Sequence, residues 1–223
     1  MSQPGNTELD EATVVLGLPK HGKTTFARRD AIEFLRAHPT GLVLAHDINQ
    51  QFGDFCRMYE NTEQWRRAYR DATTKREPFP RGASFQCEAS EIGELVLELG
   101  RRHNRALSVR VPMKYIKDEE SLSDTSEPTY QGPQDRVIWS NRRHLGVAPL
   151  LNGQLATDIN EKFYKAATKV VIFAQGEEAA RYLERKLSVS KGALDPIVSS
   201  PPARVAPRFK FLLWRQGEGI VTQ

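Results

Sequence analysis

The chain has 223 residues, of which 39% are hydrophobic and 27% are charged. This composition is typical of one large globular domain, and it excludes fibrous and disordered proteins. Two cysteines without metal-ligand spacing, Cys56 and Cys87, exclude a disulfide framework and a zinc finger, and we expect both thiols to be reduced. No apolar run reaches the ~20 residues of a membrane span, and the polar N-terminus does not fit a signal peptide. The net charge of +4 permits a polyanionic partner without requiring one.

Taken in chain order, the first predicted elements are an arm, a strand, a helix and a second strand. The polar residues 1–11 predict a flexible arm, which leaves 12–223 as a single domain. A continuous apolar run at 12–18 predicts a buried strand, the pattern over 23–38 predicts a helix, and 42–45 predicts another buried strand. A strand–helix–strand unit of this length predicts an α/β fold with a mainly parallel central sheet flanked by helices.

The rest of the chain continues the alternation. Helices are predicted over 50–70, 90–104, 134–144, 158–167 and 177–187, and strands over 83–87, 106–117, 146–151, 169–174 and 209–214. Ser90 and Asp158 are suited to the N-caps of their helices. Polar loops are predicted at 118–135 and 188–207. No internal repeat and no second core interrupts this pattern.

A complete phosphate-binding motif, G-x-x-x-x-G-K-[ST], lies between the first predicted strand and the first predicted helix. Its backbone N–H groups and the helix N-terminus would face the phosphates of a nucleoside triphosphate. Lys23 is expected to reach the β- and γ-phosphates, and the Thr24 hydroxyl to bind Mg²⁺. We therefore predict ATP and Mg²⁺ as cofactors. The predicted nucleotide-binding residues are Gly17, Leu18, Pro19, Lys20, His21, Gly22, Lys23, Thr24 and Thr25.

A hydrolase with this motif also needs a carboxylate at the end of a neighbouring strand. Asp118 and Glu119 end one predicted strand, and we interpret them as the Mg²⁺ organiser and the base that activates water. Asp47 ends another predicted strand, and it would suit the base of a small-molecule kinase, with 118–135 as its lid. Both interpretations stay open at this point.

A downstream series of motifs adds a resemblance to a known family. The series is Asn141-Arg142-Arg143-His144-Leu145-Gly146-Val147, then Leu151-Asn152-Gly153-Gln154, Asp158-Ile159-Asn160 and Val170-Val171-Ile172-Phe173-Ala174. Its order and spacing behind the phosphate-binding motif resemble the HerA–FtsK superfamily of DNA-pumping ATPases. Within that superfamily the chain looks most like the small genome-packaging ATPases of tailless, internal-membrane double-stranded-DNA viruses.

The resemblance implies a RecA-like domain that hydrolyses ATP and packages double-stranded DNA into a capsid as a hexameric ring. Gln154 would be the polar sensor of the γ-phosphate or attacking water, and Arg142 or Arg143 the finger that enters a neighbour's site. Portal proteins would be partners, and the location would be the virion vertex or the host cytoplasm. This chain departs from the family pattern in the lysines of the strand before Asp118 and in Gly153, where the family often has Thr.

Two arginine-rich segments offer a surface for sequence-independent contacts to DNA phosphates. They comprise Arg101, Arg102, Arg105, Arg110, Lys114 and Lys117, and Arg66, Arg67, Arg70, Lys75, Arg76 and Arg81. The alternative is that both are solvated faces, and that Arg142 and Arg143 only complement a helix dipole. Two further candidate functions are a phage-assembly ATPase of the zonula-occludens-toxin type, which normally carries a membrane span, and a non-catalytic DNA-binding subunit.

Overall fold

The computed structural model describes residues 8–47, 49–105, 108–118, 133–154, 156–198 and 210–221. Its helices are α1 Lys23–Ala37, α2 Thr62–Lys75, α3 Ala89–His103, α4 Pro133–Leu145, α5 Glu161–Ala166 and α6 Glu177–Lys186. Its strands are β1 Thr13–Leu16, β2 Leu42–His46, β3 Arg57–Tyr59, β4 Gly82–Phe85, β5 Asn104–Arg105, β6 Ser108–Val109, β7 Met113–Lys117, β8 Val147–Gly153, β9 Lys169–Ile172, β10 Leu212–Arg215 and β11 Gly219–Val221. Short 3₁₀ turns lie at Glu8–Asp10, Ala156–Asp158 and Asp195–Ile197.

Nine of these strands form one sheet in the order β11-β10-β9-β1-β8-β7-β2-β4-β3. The strands from β9 to β3 pair in parallel, whereas β10 and β11 add an antiparallel edge. The predicted mainly parallel sheet flanked by helices is therefore confirmed. The first two strands of the chain are not neighbours, because β8 and β7 lie between them. As a result, the carboxyl ends of β1, β8, β7 and β2 lie side by side at one edge.

Helices cover both faces of the sheet, but unequally. One face packs against α1, through Ala27, Ala31 and Phe34, together with Phe52 and Cys56 from the segment after β2. The opposite face packs against the remaining helices, whose buried side chains include Trp65, Ile92, Leu95, Ile138, Trp139, Phe163 and Leu183. Because strand side chains alternate between faces, Val15 belongs to the first cluster and Val14 and Leu16 to the second.

The structure corrects the helix predicted over 50–70. Its first part is a turn followed by the edge strand β3, and α2 begins only at Thr62. The Asn61 side chain caps α2 by accepting a hydrogen bond from the backbone N–H of Gln64 at 2.9 Å. This cap fixes the helix start and leaves 57–59 extended, where they pair with β4.

The strand predicted over 106–117 is also shorter than expected, because Asn104 folds the chain back before it joins the sheet. Its Oδ1 accepts hydrogen bonds from the N–H groups of Arg110 and Val111, and its Nδ2 donates to the carbonyls of Val111 and Leu145. The strands β5 and β6 pair with each other in a separate small antiparallel sheet. Only 113–117 enters the main sheet.

Both N-cap predictions are wrong. Glu88 occupies the N-cap of α3 without a side-chain hydrogen bond, so Ser90 lies inside the first turn. Asn160 caps α5 by accepting from the N–H of Lys162 at 2.9 Å, whereas Asp158 belongs to a 3₁₀ turn upstream. Asn160 occupies the N-cap because it directly precedes the helix, where its side-chain oxygen reaches the N–H two residues further on.

The end of the predicted N-terminal arm packs onto the domain. Leu9 lies in the core cluster on the α1 face, and the Asp10 carbonyl accepts a hydrogen bond from Arg142. The rest of that arm, residues 1–7, lies outside the described residues. Across the ranges that the structure describes, no helix combines the length and apolar character needed to span a bilayer.

Candidate nucleotide-binding site

The phosphate-binding loop joins β1 to α1, and its two glycines are required for different reasons. Gly22 caps α1 with φ of +99°, a left-handed conformation that a side chain would strain. At Gly17 the constraint is space, because an added Cβ would lie 2.6 Å from the Cβ of Phe173. The loop also forms hydrogen bonds at the ends of both neighbouring strands. Gly17 N–H donates to the carbonyl of Gly153 in β8 at 3.3 Å, and Leu18 N–H donates to the carbonyl of Ala174, just after β9, at 3.0 Å.

Lys23 is the first residue of α1, and only 7% of its surface is exposed. Its ammonium donates to the carbonyl of Gly17 at 2.6 Å and to that of Leu18 at 3.3 Å. The side chain is therefore held within the loop itself. An anion that enters the loop would offer it stronger, charged acceptors.

A cavity of about 400 Å³ opens in front of the loop. This volume is within the usual range for small-molecule sites, ~300–1,000 Å³. It brings together most of the predicted site residues, namely Pro19, Lys20, Gly22, Lys23, Thr24, Thr25, Asp118 and Gln154, and adds Asn49 and Gln51. Gly17, Leu18 and His21 belong to the loop but do not line the cavity. Glu119 lies outside the described residues.

Asp118 follows β7 and is held by a residue to which the sequence motifs gave no role. The Nδ2 of Asn152, a fully buried residue of β8, donates to Asp118 Oδ1 at 2.7 Å. The Asp118 N–H donates to the carbonyl of His46 at 3.2 Å. Burial, together with the Lys117 ammonium, lowers the pKa of His46 to about 4, so its ring is neutral at pH 7.

The donors present fit Mg²⁺. A hydroxyl from Thr24 and a carboxylate from Asp118 face the same cavity. Mg²⁺ prefers oxygen ligands, and it usually takes one or two from the protein and the rest from phosphate and water. Within the described ranges no cluster of three or more His, Cys, Asp or Glu side chains is placed to hold a metal by itself.

Gln154 borders the cavity directly after β8, and the residue before it, Gly153, has no room for a side chain. A Cβ at Gly153 would lie 2.7 Å from Cδ1 of Ile159, which is 1% exposed. A threonine in this place would have to displace a packed isoleucine.

Asp47, the alternative catalytic base, is 1% exposed and already fully engaged. Its Oδ1 accepts from the N–H of Gln51 at 2.7 Å, and its Oδ2 accepts from the N–H of Phe52 at 2.9 Å. Both carboxylate oxygens thus organise the loop after β2. This use favours a structural role over proton transfer to an acceptor substrate.

The lysines of β7 are internal, not part of a DNA-binding surface. Lys114 is 3% exposed and forms an ion pair with Asp30 of α1. Lys117 is 4% exposed and its Nζ lies 3.0 Å from Oδ2 of Asp135 in α4. Each ammonium is compensated by a carboxylate, which buried charges require. The basic segment 101–117 is therefore smaller at the surface than predicted.

The second basic segment is also partly engaged. Arg66 pairs with Glu98, Arg70 pairs with Glu63, and Arg81 donates to the carbonyls of Leu35, His38 and Pro39. Exposed basic side chains that remain available for anions include Arg67, Lys75, Arg76, Arg101, Arg102 and Arg110.

The structure does not bring Arg142 and Arg143 into the cavity of their own chain. Both lie in the last turn of α4, which leads into the start of β8, so they lie at the sheet edge opposite the phosphate-binding loop. Arg142 is half-buried and donates to the carbonyls of Asp10 and Trp139; burial, aided by Arg143, lowers its pKa. The Arg143 side chain is 69% exposed, with its Nε 2.7 Å from Oδ1 of Asp10.

Solved structures with this fold were found at low sequence identity. The genome-packaging NTPase B204 from Sulfolobus turreted icosahedral virus 2, in complex with ATPγS, matches with a TM-score of 0.68 and 15% identity over 96% of this chain and 97% of that chain. The DNA-packaging ATPase B204 from Sulfolobus turreted icosahedral virus matches with a TM-score of 0.64 and 14% identity over 96% and 97%. VirB4 of Thermoanaerobacter pseudethanolicus matches with a TM-score of 0.61 and 10% identity over 94% and 88%.

No protein-family model matches the sequence, and no curated protein is significantly similar to it. At 10–15% identity the structural matches establish the fold, which both B204 proteins share over nearly the full length of each chain. The resemblance that was inferred from the motifs is thereby confirmed at the level of the fold.

Proposed function

We propose that this protein is a Mg²⁺-dependent ATPase that moves double-stranded DNA, and that it packages a viral genome. The observation that carries the proposal is the single cavity in which the phosphate-binding loop, Asp118 and Gln154 meet at the carboxyl ends of adjacent parallel strands. In open parallel sheets this edge is where ligands bind. The shared fold of the two viral packaging enzymes supports the choice of process.

The residues of the site have separate proposed roles in ATP hydrolysis. Loop N–H groups hold the phosphates, and Lys23 leaves the Gly17 and Leu18 carbonyls to bind the β- and γ-phosphate oxygens. Thr24 and Asp118 would hold Mg²⁺, which neutralises charge on the phosphates. A water oxygen forms a bond to the γ-phosphorus while the bond to the bridging β–γ oxygen breaks. Glu119 is proposed to take the proton of that water, and Gln154 to contact the γ-phosphate.

The placement of the arginines supports our proposal of a homo-oligomeric ring. Neither arginine of the Arg142–Arg143 pair reaches the cavity of its own chain, and arginine fingers are commonly supplied by a neighbouring molecule. We assign the finger to Arg143, because it is exposed, and a structural role to Arg142, whose guanidinium is bonded to two carbonyls. Double-stranded DNA and a capsid vertex protein complete the proposed set of partners.

The test is ATP turnover with and without duplex DNA. Lys23→Ala is expected to lower turnover at least about 100-fold, because charge on the transferring phosphate loses a buried partner. Lys162→Ala removes an exposed lysine far along the chain and serves as the matched control. Wild-type protein that transfers phosphate to nucleosides without net hydrolysis would replace this proposal with the kinase. Hydrolysis that duplex DNA does not change would contradict the DNA motor.

A further inference from the structure

One part of the cavity lining belongs to no recognised motif. Asn49 and Gln51 lie in the segment after β2, and both line the cavity that holds Lys23, Thr24 and Asp118. Both are exposed at this wall. Among the described residues, no hydrogen-bond partner is found for either side-chain amide. The cavity therefore presents two neutral amides of which the phosphate-binding motif makes no use.

The backbone of this wall is held rigidly at Gln51. The carboxylate of Asp47 binds the N–H groups of Gln51 and Phe52, and the Gln50 N–H donates to the Asp47 carbonyl at 3.3 Å. Phe52 is fully buried in the core of the α1 face. Gln51 thus lies between the buried residues Asp47 and Phe52, whereas the N–H of Asn49 donates no such bond to the Asp47 carboxylate.

A primary amide suits the reacting centre of phosphate hydrolysis. Its oxygen accepts a hydrogen bond from a water, and its NH₂ group donates to a phosphate oxygen. It adds no charge to a cavity that already contains the Lys23 ammonium and the Asp118 carboxylate. A glutamine that orients the attacking water is one established solution in nucleotide hydrolases.

We propose that Gln51 is a catalytic residue and that Asp47 is its positioning residue; this inference rests on the proposed ATPase function. The Gln51 amide oxygen accepts a hydrogen bond from the attacking water, while its NH₂ group donates to a γ-phosphate oxygen. The water oxygen bonds to the γ-phosphorus as the bond to the bridging oxygen breaks, and the proton leaves to the general base. Asp47 acts only through the two N–H groups that it holds.

The first test compares Gln51→Ala with Gln50→Ala, an exposed neighbour outside the cavity lining. We expect Gln51→Ala to lower kcat about 100-fold, as removal of one transition-state hydrogen-bond donor does elsewhere. KM for ATP and Kd for ATPγS should change less than about 3-fold, because the contact matters mainly in the transition state. Gln50→Ala should keep wild-type kcat.

The second test is a double-mutant cycle with Asp47→Asn, which retains one acceptor oxygen and loses the other. If Asp47 acts through Gln51, Asp47→Asn lowers kcat about 10-fold in the wild type and less than about 2-fold in Gln51→Ala. Additive losses would show that Asp47 acts elsewhere and would overturn its positioning role. Thermal unfolding of each variant separates this coupling from a general loss of folded protein.

The outcomes separate this inference from the proposed function. Wild-type hydrolysis with an unaffected kcat in Gln51→Ala overturns the inference and leaves the ATPase intact. A loss in Gln51→Ala that lies entirely in KM also overturns it, because Gln51 would then only bind nucleotide. Wild-type protein that binds ATPγS but hydrolyses no ATP overturns both.

Discussion

Asn152 controls the orientation of the carboxylate that we assign to Mg²⁺. It is fully buried, and its Nδ2 holds one oxygen of Asp118 at 2.7 Å. A carboxylate fixed in this way keeps its second oxygen directed by the protein instead of by solvent. Partners of this kind, which touch a metal ligand but not the metal, set metal affinity.

Asn152→Ala is expected to raise the Mg²⁺ concentration for half-maximal turnover about 10–100-fold, because Asp118 loses the donor that orients it. The measurement is a Mg²⁺ titration of ATP hydrolysis, together with calorimetric binding of ATPγS at each Mg²⁺ concentration. Asn141→Ala, an exposed asparagine of α4, is the matched control. An unchanged Mg²⁺ requirement in Asn152→Ala would remove Asp118 from the proposed metal site.

At the residue scale, the sequence predicts what is contiguous and misses what only the fold assembles. The phosphate-binding loop was predicted because its residues lie side by side in the chain and carry out one task. Asn49 and Gln51 join the site from the segment after β2, and Asn152 joins it from β8, so the spacing of the phosphate-binding motif does not identify them. Asn152 did leave a signal, since a polar residue ends an otherwise apolar run beginning at 147.

At the scale of elements, a buried ion cluster ties α1 to the sheet. Asp30 of α1 pairs with Lys114 of β7, and its Oδ1 lies 3.6 Å from Nζ of Lys169 in β9. Lys169 also lies 2.9 Å from Glu11. Burial opposes ionisation of Asp30, but the two lysines outweigh it and lower its pKa. The helix that follows the phosphate-binding loop is thereby bonded to two strands.

We expect Asp30→Ala to lower the free energy of unfolding by about 3–5 kcal/mol, because Lys114 loses its carboxylate partner inside the protein. Glu33→Ala removes an exposed acid one turn further along α1 and should cost less than about 0.5 kcal/mol. Urea denaturation measures both. Equal effects of the two variants would mean that the buried cluster contributes no more than a surface pair.

The same cluster determines whether stability rises or falls with pH. A lowered pKa means that the unfolded chain binds a proton at Asp30 before the folded protein does. The contribution of Asp30 is therefore complete above its ordinary pKa of about 4 and is lost as the pH falls through the lower folded value. In Asp30→Ala this part of the acid destabilisation should be absent.

Long elements were predictable because periodicity and apolar runs extend over many residues, as in α1, α3 and β8. Short edge elements were not, because single side chains decide them through distant contacts. Asn61 fixes where α2 begins, and Asn104 decides which residues reach the sheet. The strand that contains β7 was predicted, but the burial of its two lysines was not, since their carboxylate partners come from α1 and α4.

At the scale of the whole molecule, we predict that one of the two arginines before β8 is needed for turnover and the other for stability. Arg143→Ala should reduce turnover ~10³-fold or more without changing the melting temperature, as expected for a finger that acts on a neighbour. Arg142→Ala should lower the melting temperature, because it removes one hydrogen bond from α4 to the Asp10 carbonyl before β1 and one to the Trp139 carbonyl within α4.

Mixing two inactive variants tests whether the finger acts between molecules. Lys23→Ala and Arg143→Ala should each be inactive, and their co-assembled mixture should recover part of the wild-type turnover. Recovery requires one interface with an intact Lys23 on one side and an intact Arg143 on the other. A mixture that co-assembles but stays inactive would argue against a finger supplied in trans.

The order of the strands in the sheet could not be predicted from the sequence, whereas the parallel α/β class could. Insertion of β8 and β7 between the first two strands depends on long-range packing, which no local pattern records. That insertion places Asp118 and Gln154 beside the phosphate-binding loop. The family resemblance anticipated this proximity from the order of the motifs alone.

The hydrogen bonds that Lys23 makes to its own loop affect the observed affinity for nucleotide. Because the Gly17 and Leu18 carbonyls already satisfy the ammonium, nucleotide entry exchanges acceptors and does not create a first partner for a bare charge. The observed affinity then reports a difference between two satisfied states, so it understates the strength of the phosphate contact. Product release is favoured in the same way, because the ammonium can return to the Gly17 and Leu18 carbonyls. In the ATPase that we propose, this exchange of acceptors would recur in every cycle of hydrolysis.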